Sequence, residues 1–239
     1  MKTGRMSGGK SVYGASVGIL MLDARFPRIP GDMGNALTWP FPVHYRVVRD
    51  ATPDLVVRRG ATGTLDAFIA AARELVRDGA DGITTNCGFL SLFQHEIADA
   101  TGVPVATSSL MQVAMVDRLL PAGKRAGILT ISGSTLTPLH LEKAGVPADV
   151  PLGTTEGLRE FTRVILGNEF ELDVEAARAD NVEAALALRD RHPEMGAIVL
   201  ECTNMVPYAA DIRAATGLPV FSIYNFITWF QQGLVPRNF

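Results

Sequence analysis

Cysteine and histidine are scarce in this chain, with two of the first and four of the second among 239 residues. Two cysteines do not make a disulfide framework, and a reducing compartment keeps both as thiols. The histidines, His44, His95, His140 and His192, lack the short spacings of metal ligands, so no metal site is expected. A surplus of one charge is also missing: Lys and Arg total 22 against 25 Asp and Glu, a formal net charge of −3. That balance argues against nucleic acid and anionic membrane as partners and favours a small molecule. The apolar run nearest the N-terminus, VGILML at Val17 to Leu22, is too short for a signal segment and far too short to span a bilayer, so a cytoplasmic protein is expected. One motif falls on its context. GRMSGGKS, Gly4 to Ser11, spells the phosphate-loop pattern, but only three residues precede it and a strand follows it, so residues 1–12 read as a flexible tail.

Short apolar runs alternate with amphipathic stretches, the pattern of an α/β protein with mainly parallel strands. Strands are expected at 16–22, 81–85, 104–108, 125–131, 196–201 and 219–223. Helices are expected at Thr64–Asp78, Gly88–Thr101, Leu110–Leu120, Thr135–Ala144, Thr155–Leu166, Val174–Arg191, Met205–Thr216 and Tyr224–Gln232. The long Pro- and Gly-rich connection DARFPRIPGDMGNALTWPFPV, from Asp23 to Val43, has the character of a functional loop.

The chain repeats itself. Counted from Cys87 and from Cys202, position +6 is aromatic (Phe93, Tyr208), position +10 is isoleucine (Ile97, Ile212), and the segments end in ATGVPV and ATGLPV. A second match, VGILML with AGILTI, is offset by 109 residues against 115 for the cysteines, so whole halves are duplicated. The aromatic and the isoleucine share a helix face and belong to the core. The expected fold is two pseudo-symmetric doubly wound α/β halves, each a mainly parallel sheet flanked by helices, with the active site in the cleft between them. Residues 13–120 and 219–239 form the first half, and 121–218 the second. Each cysteine then lies in a turn at the carboxyl end of a strand, where open parallel sheets bind ligands. Two thiols meeting from opposite sides of one cleft suit stereoinversion, in which one group removes a proton and the other returns it from the far face.

A helix starting at each cysteine would favour its thiolate, by an amount equivalent to roughly one pKa unit. Donors for a developing enediolate are expected from Thr85 and Asn86 before Cys87, from Thr203 and Asn204 after Cys202, and from Ser132, Ser134 and Thr135 of the SGST loop. Asp23, Arg25 and Arg28 follow the first strand and suit a distal carboxylate or amine, a role as well balanced by that of a solvated loop. Glu201, beside Cys202, either tunes the thiol or caps the strand end, and is left outside the expected site.

TTNCGF and LECTNM, at equivalent places in two α/β halves, resemble the cofactor-independent aspartate/glutamate racemase superfamily over nearly the whole chain after Ser11. That resemblance implies that Cys87 and Cys202 are an opposed acid/base pair, that the residues beside them, Gly88 and Phe89 included, hold a small carboxylate substrate, and that no cofactor is needed. Gly88-Phe89 stands where amino-acid racemases often have Asn-Thr, and the superfamily also contains arylmalonate decarboxylases and maleate isomerases. A racemase or epimerase acting on an amino acid or related carboxylate is the leading expectation. A cysteine-dependent isomerase or lyase and a non-catalytic carboxylate-binding protein are the alternatives, and a homo-oligomer is left open.

Overall fold

Val17–Leu22 is apolar at every position and buried throughout, as an inner strand of a covered parallel sheet must be. In the computed structural model, which describes residues 7–237, this strand is β1. It lies between β2 (Val43–Val48) and β3 (Gly82–Thr85), and β4 (Val105–Ala106) extends the sheet beyond β3, all parallel, in the order β2-β1-β3-β4. The second sheet repeats it with β5 (Arg125–Thr130), β6 (Leu152–Thr154), β7 (Met195–Leu200) and β8 (Val220–Phe221) in the order β6-β5-β7-β8. The duplication read from the sequence is therefore a duplication of topology, and the chain has the expected two-halved α/β fold.

The helices are α1 (Leu65–Asp78), α2 (Gln94–Thr101), α3 (Val113–Leu119), α4 (Pro138–Lys143), α5 (Phe161–Gly167), α6 (Val174–Arg191), α7 (Ala209–Thr216) and α8 (Ile223–Leu234). On α1 the buried residues Phe68, Ala71, Ala72 and Leu75 form one stripe facing the sheet. The repeated Thr-Gly-x-Pro ends α2 and α7 in the same way: Gly102 and Gly217 take left-handed φ values of 68° and 73°, which glycine adopts without the Cβ penalty, and the following proline leads into a strand.

Several elements differ from expectation. The helices after both cysteines open as 3-10 turns, Gly88–Phe93 and Thr203–Tyr208, before α2 and α7 begin. β2 and β6 are additional strands. β2 is an edge strand with one neighbour and half-exposed side chains, so it carries no continuous apolar run. The helix expected from Thr155 begins at Phe161, because residues 152–154 pair with β5 and the buried carboxylate of Asp180 takes the N–H groups of Glu160 and Phe161 at 2.6 and 2.9 Å. β8 pairs with β7, so it stays with the second sheet. The chain rejoins the first half in α8, whose Ile223, Phe226 and Ile227 pack with Val17, Ile19 and Met21. Of the tail, residues 1–6 lie outside the described part, and with them the first three residues of the apparent phosphate loop. Beyond them Val12 donates to the Asp78 carbonyl at 2.9 Å and Lys10 pairs with Asp81. Among the described residues no helix is long and apolar enough to cross a membrane.

Candidate active site

Cys87 and Cys202 each stand two residues past the end of a strand, β3 and β7, in extended backbone that caps the next 3-10 turn. Both are free, buried thiols lining one small cavity between the halves. Its polar wall is the two cysteines with Asn86, Glu201 and Asn204. Its apolar wall includes Leu22, Phe26, Val57, Phe89, Ile131 and Ile165.

Hydrogen bonds fix the turns around the thiols. Asn86 accepts the Leu22 N–H on its side-chain oxygen at 2.8 Å. The Thr203 hydroxyl donates to the Asn86 carbonyl at 2.6 Å, joining the two cysteine turns directly. Thr85 is buried behind Cys87, its hydroxyl 2.7 Å from the Thr107 carbonyl. Asn204 accepts from the Cys202 thiol at 3.6 Å and passes its own N–H to Asp32. Asp32 in turn holds Arg28 at 2.8 Å. The Arg28 guanidinium lies 4.6 Å from the centre of the Phe26 ring, and its Nη2 is buried without a partner.

The expected donors divide into two groups. Asn86, Gly88, Phe89 and Asn204 line the cavity with the cysteines, while Thr85 and Thr203 brace the turns from behind. The SGST loop is occupied by the chain itself: Ser134 donates its amide and hydroxyl to Glu156 at 2.9 and 2.6 Å, Ser132 its hydroxyl at 3.2 Å, and Thr135 bonds to Ser132. Asp23 turns outward to Arg49 and the Asp50 amide, and Arg25 is exposed, so neither reaches the cavity. Asp32 joins the constellation unannounced, and Glu201, left outside the expected site, belongs to the cavity wall. For Glu201 the signal was present, a carboxylate ending an otherwise apolar strand in IVLECTN.

The electrostatics correct one expectation. Burial pushes both thiols well above their ordinary range, and the Glu201 charge raises them further. The backbone amides of Phe89 and Leu90 favour a Cys87 thiolate, but desolvation outweighs them, and the turn that follows is not an α-helix with a full dipole. Glu201 is itself raised to about 7 by burial, against the Thr130 hydroxyl and the Ile131 N–H. Among the described residues no cluster of three His, Cys, Asp or Glu side chains could hold a metal ion.

No protein-family model matches the chain. It is 30% identical over 229 residues to a dimethylsulfoniopropionate lyase of Durusdinium sp. clade D, covering 92% of this chain and 75% of that protein. It is 30% identical over 237 residues to dimethylsulfoniopropionate lyase 7 of Emiliania huxleyi, covering 92% and 67%. Among solved structures it resembles a glutamate racemase of Bacillus anthracis (TM-score 0.59, 15% identity, 94% and 85% covered). It also resembles a mutant arylmalonate decarboxylase in a sulfate-associated form (TM-score 0.61, 16% identity, 91% and 92% covered). At such identities the structural likeness establishes the fold, that of the aspartate/glutamate racemase superfamily. The similarity to these lyases, which spans 92% of this chain and 75% and 67% of theirs, leads to one conclusion: the chain belongs to the dimethylsulfoniopropionate lyase family.

Proposed function

We propose that the chain is a cysteine-dependent lyase that cleaves dimethylsulfoniopropionate to acrylate and dimethyl sulfide. The substrate class has a carboxylate at one end and a sulfonium on the carbon β to it. A thiolate removes a proton from the carbon next to the carboxylate, that C–H pair becomes the C=C bond, and the C–S pair leaves on the neutral sulfide. The first step is the one a racemase performs, so the same cleft and thiols serve both reactions. A β leaving group is what diverts the carbanion to elimination.

The two-sided cavity carries this reading. Cys87 and Cys202 with the two asparagines suit the reacting carbon, while the facing wall of Leu22, Phe26, Phe89 and Ile165 suits a methyl-bearing sulfur that needs no hydrogen bond. Arg28 does not itself line the cavity but lies over the ring of Phe26, which does; its buried Nη2 has no partner, and a carboxylate that reached it would relieve a cost of about 1 to 3 kcal/mol. The lyase relatives favour elimination over the racemisation expected first; the opposed thiols keep racemisation as the second reading. Incubation with dimethylsulfoniopropionate should release dimethyl sulfide and acrylate in equal amounts. Release of neither, together with deuterium uptake at Cα of an amino acid in D2O, would replace the lyase by a racemase.

A further inference from the structure

Glu201 has no part in that scheme, yet it is the one carboxylate on the cavity wall. Its side chain is almost wholly buried, at 1% exposure. One oxygen, Oε2, accepts the Thr130 hydroxyl at 2.7 Å, while the other, Oε1, is buried with no partner. The free oxygen is turned toward the backbone just after Cys87: a Cβ added at Gly88 would lie 2.2 Å from Oε1 and 2.5 Å from the Glu201 carbonyl oxygen. The carboxylate thus fills the space a side chain at residue 88 would need, against the turn of one cysteine, and it immediately precedes the other in the chain. A half-paired carboxylate in such a place carries a desolvation cost that a neutral residue would avoid.

We propose that Glu201 is the shared proton acceptor of the two thiols, taking the cysteine proton when the working thiolate forms and releasing it to water after turnover. It acts on the substrate only through the cysteines. The balance is simple: the thiol proton moves to Glu201, the thiolate takes the substrate proton and becomes a thiol again, and the Glu201 proton leaves with the products. One proton is released for each acrylate and sulfide formed. The Glu201 charge raises both thiols, so the site holds one negative charge comfortably, and protonating Glu201 is what makes room for a thiolate.

Other charged groups leave this exchange in place. Arg28 acts on Cys87 and Asp32 on Cys202, and those two are paired with each other. His140, edge-on to Phe89 at 5.0 Å, is lowered to about 4 by burial and stays neutral near pH 7. Asp54, Arg58 and Arg59, on the segment that contributes Val57, pair among themselves, and Arg163 of α5 pairs with Glu160 and Glu169.

This inference rests on the lyase reading, but half of its test does not. Glu201→Gln keeps the size and the Thr130 contact and removes the titration. In the full chain without substrate, the pH midpoint for alkylation of both cysteines by iodoacetamide, read by mass spectrometry, should move to lower pH. With dimethylsulfoniopropionate, wild-type turnover should rise with pH through about 7. In the variant that limb should vanish, and turnover near neutrality should fall roughly 100-fold, recovering only where the thiol ionises directly. Unchanged alkylation and an unchanged pH profile in a folded variant would overturn the proposal. Should Glu201→Gln not fold, Glu201→Asp should keep the limb at reduced turnover, and a folded Glu201→Asp without it overturns the proposal equally. A wild type that releases no sulfide refutes the lyase reading while leaving the alkylation result to judge Glu201.

Discussion

Thr203 follows the second cysteine and gives its hydroxyl proton to the carbonyl of Asn86, which precedes the first, at 2.6 Å. This bond ties the two cysteine turns directly to each other, alongside the inter-half contacts of Asn204 with Asp32 and of Ser109 with the Glu201 carbonyl. Thr203→Val keeps the volume and strands the Asn86 carbonyl, which should cost about 1 to 3 kcal/mol in denaturant unfolding and lower turnover more than substrate affinity. Thr203→Ser should recover both. A Val variant as stable and active as wild type would show that the turns are held by other contacts.

Gly88→Ala should behave as a collision with Glu201 specifically. Alone it should destabilise the fold by about 1 to 3 kcal/mol, because it meets a Glu201 side-chain oxygen at 2.2 Å and, at 2.5 Å, a backbone oxygen that can move only with the chain. Combined with Glu201→Ala, which clears the nearer oxygen, part of that loss should return. Strictly additive unfolding energies in the double-mutant cycle would contradict the contact.

Two buried groups tilt the acid stability in opposite directions. Glu201, raised from 4.5 to about 7 by burial, binds more protons folded than unfolded. Its contribution to stability is full below pH 4.5 and is lost as pH rises through about 7. His140, lowered from 6.5 to about 4 by burial, binds fewer; its contribution is full above pH 6.5 and is lost as pH falls through about 4. Between those limits the two slopes oppose each other. Unfolding measured at stepped pH should give Glu201→Gln a stability that rises with pH in this window and His140→Gln one that falls, each by about 1 to 3 kcal/mol, with wild type flatter than either. Slopes of the same sign in the two variants would count against both assignments.

Elimination needs one base, whereas inversion needs two. With dimethylsulfoniopropionate deuterated stereospecifically next to the carboxylate, one enantiomer should give acrylate that keeps the label and the other acrylate that has lost it. Cys87→Ser and Cys202→Ser should then be unequal, one losing activity by about 100-fold or more and the other keeping a measurable fraction. Loss of label from both enantiomers alike would restore a two-base scheme.

Much of this architecture is written in short repeats. Both cysteines, the core pair Phe93 and Ile97 with Tyr208 and Ile212, and the Thr-Gly-x-Pro stops were readable because duplication marks the same position twice. β2 was not, since an edge strand carrying His44 and Arg46 has no apolar signature. Nor was the late start of α5, which depends on Asp180, a carboxylate some twenty residues further along the chain. Within the site, local neighbours such as Asn86 and Asn204 were legible from the cysteines, whereas Asp32 enters through the folding back of a long loop that no periodicity describes. The direction of the thiol shift was misread for a related reason: position in a turn is visible in a sequence, and depth beneath the surface is not.

The carboxylate of Glu156, seated on Ser132 and Ser134, gives the duplicated scaffold a direction. Two similar halves would offer an anionic ligand two equivalent cradles and hence two ways round. Here the turn after β5 already holds an anion belonging to the chain, while after β1 the buried Nη2 of Arg28 has no partner. A backbone with approximate twofold symmetry thereby carries unlike charges at matching turns, and the two members of the repeat are no longer interchangeable.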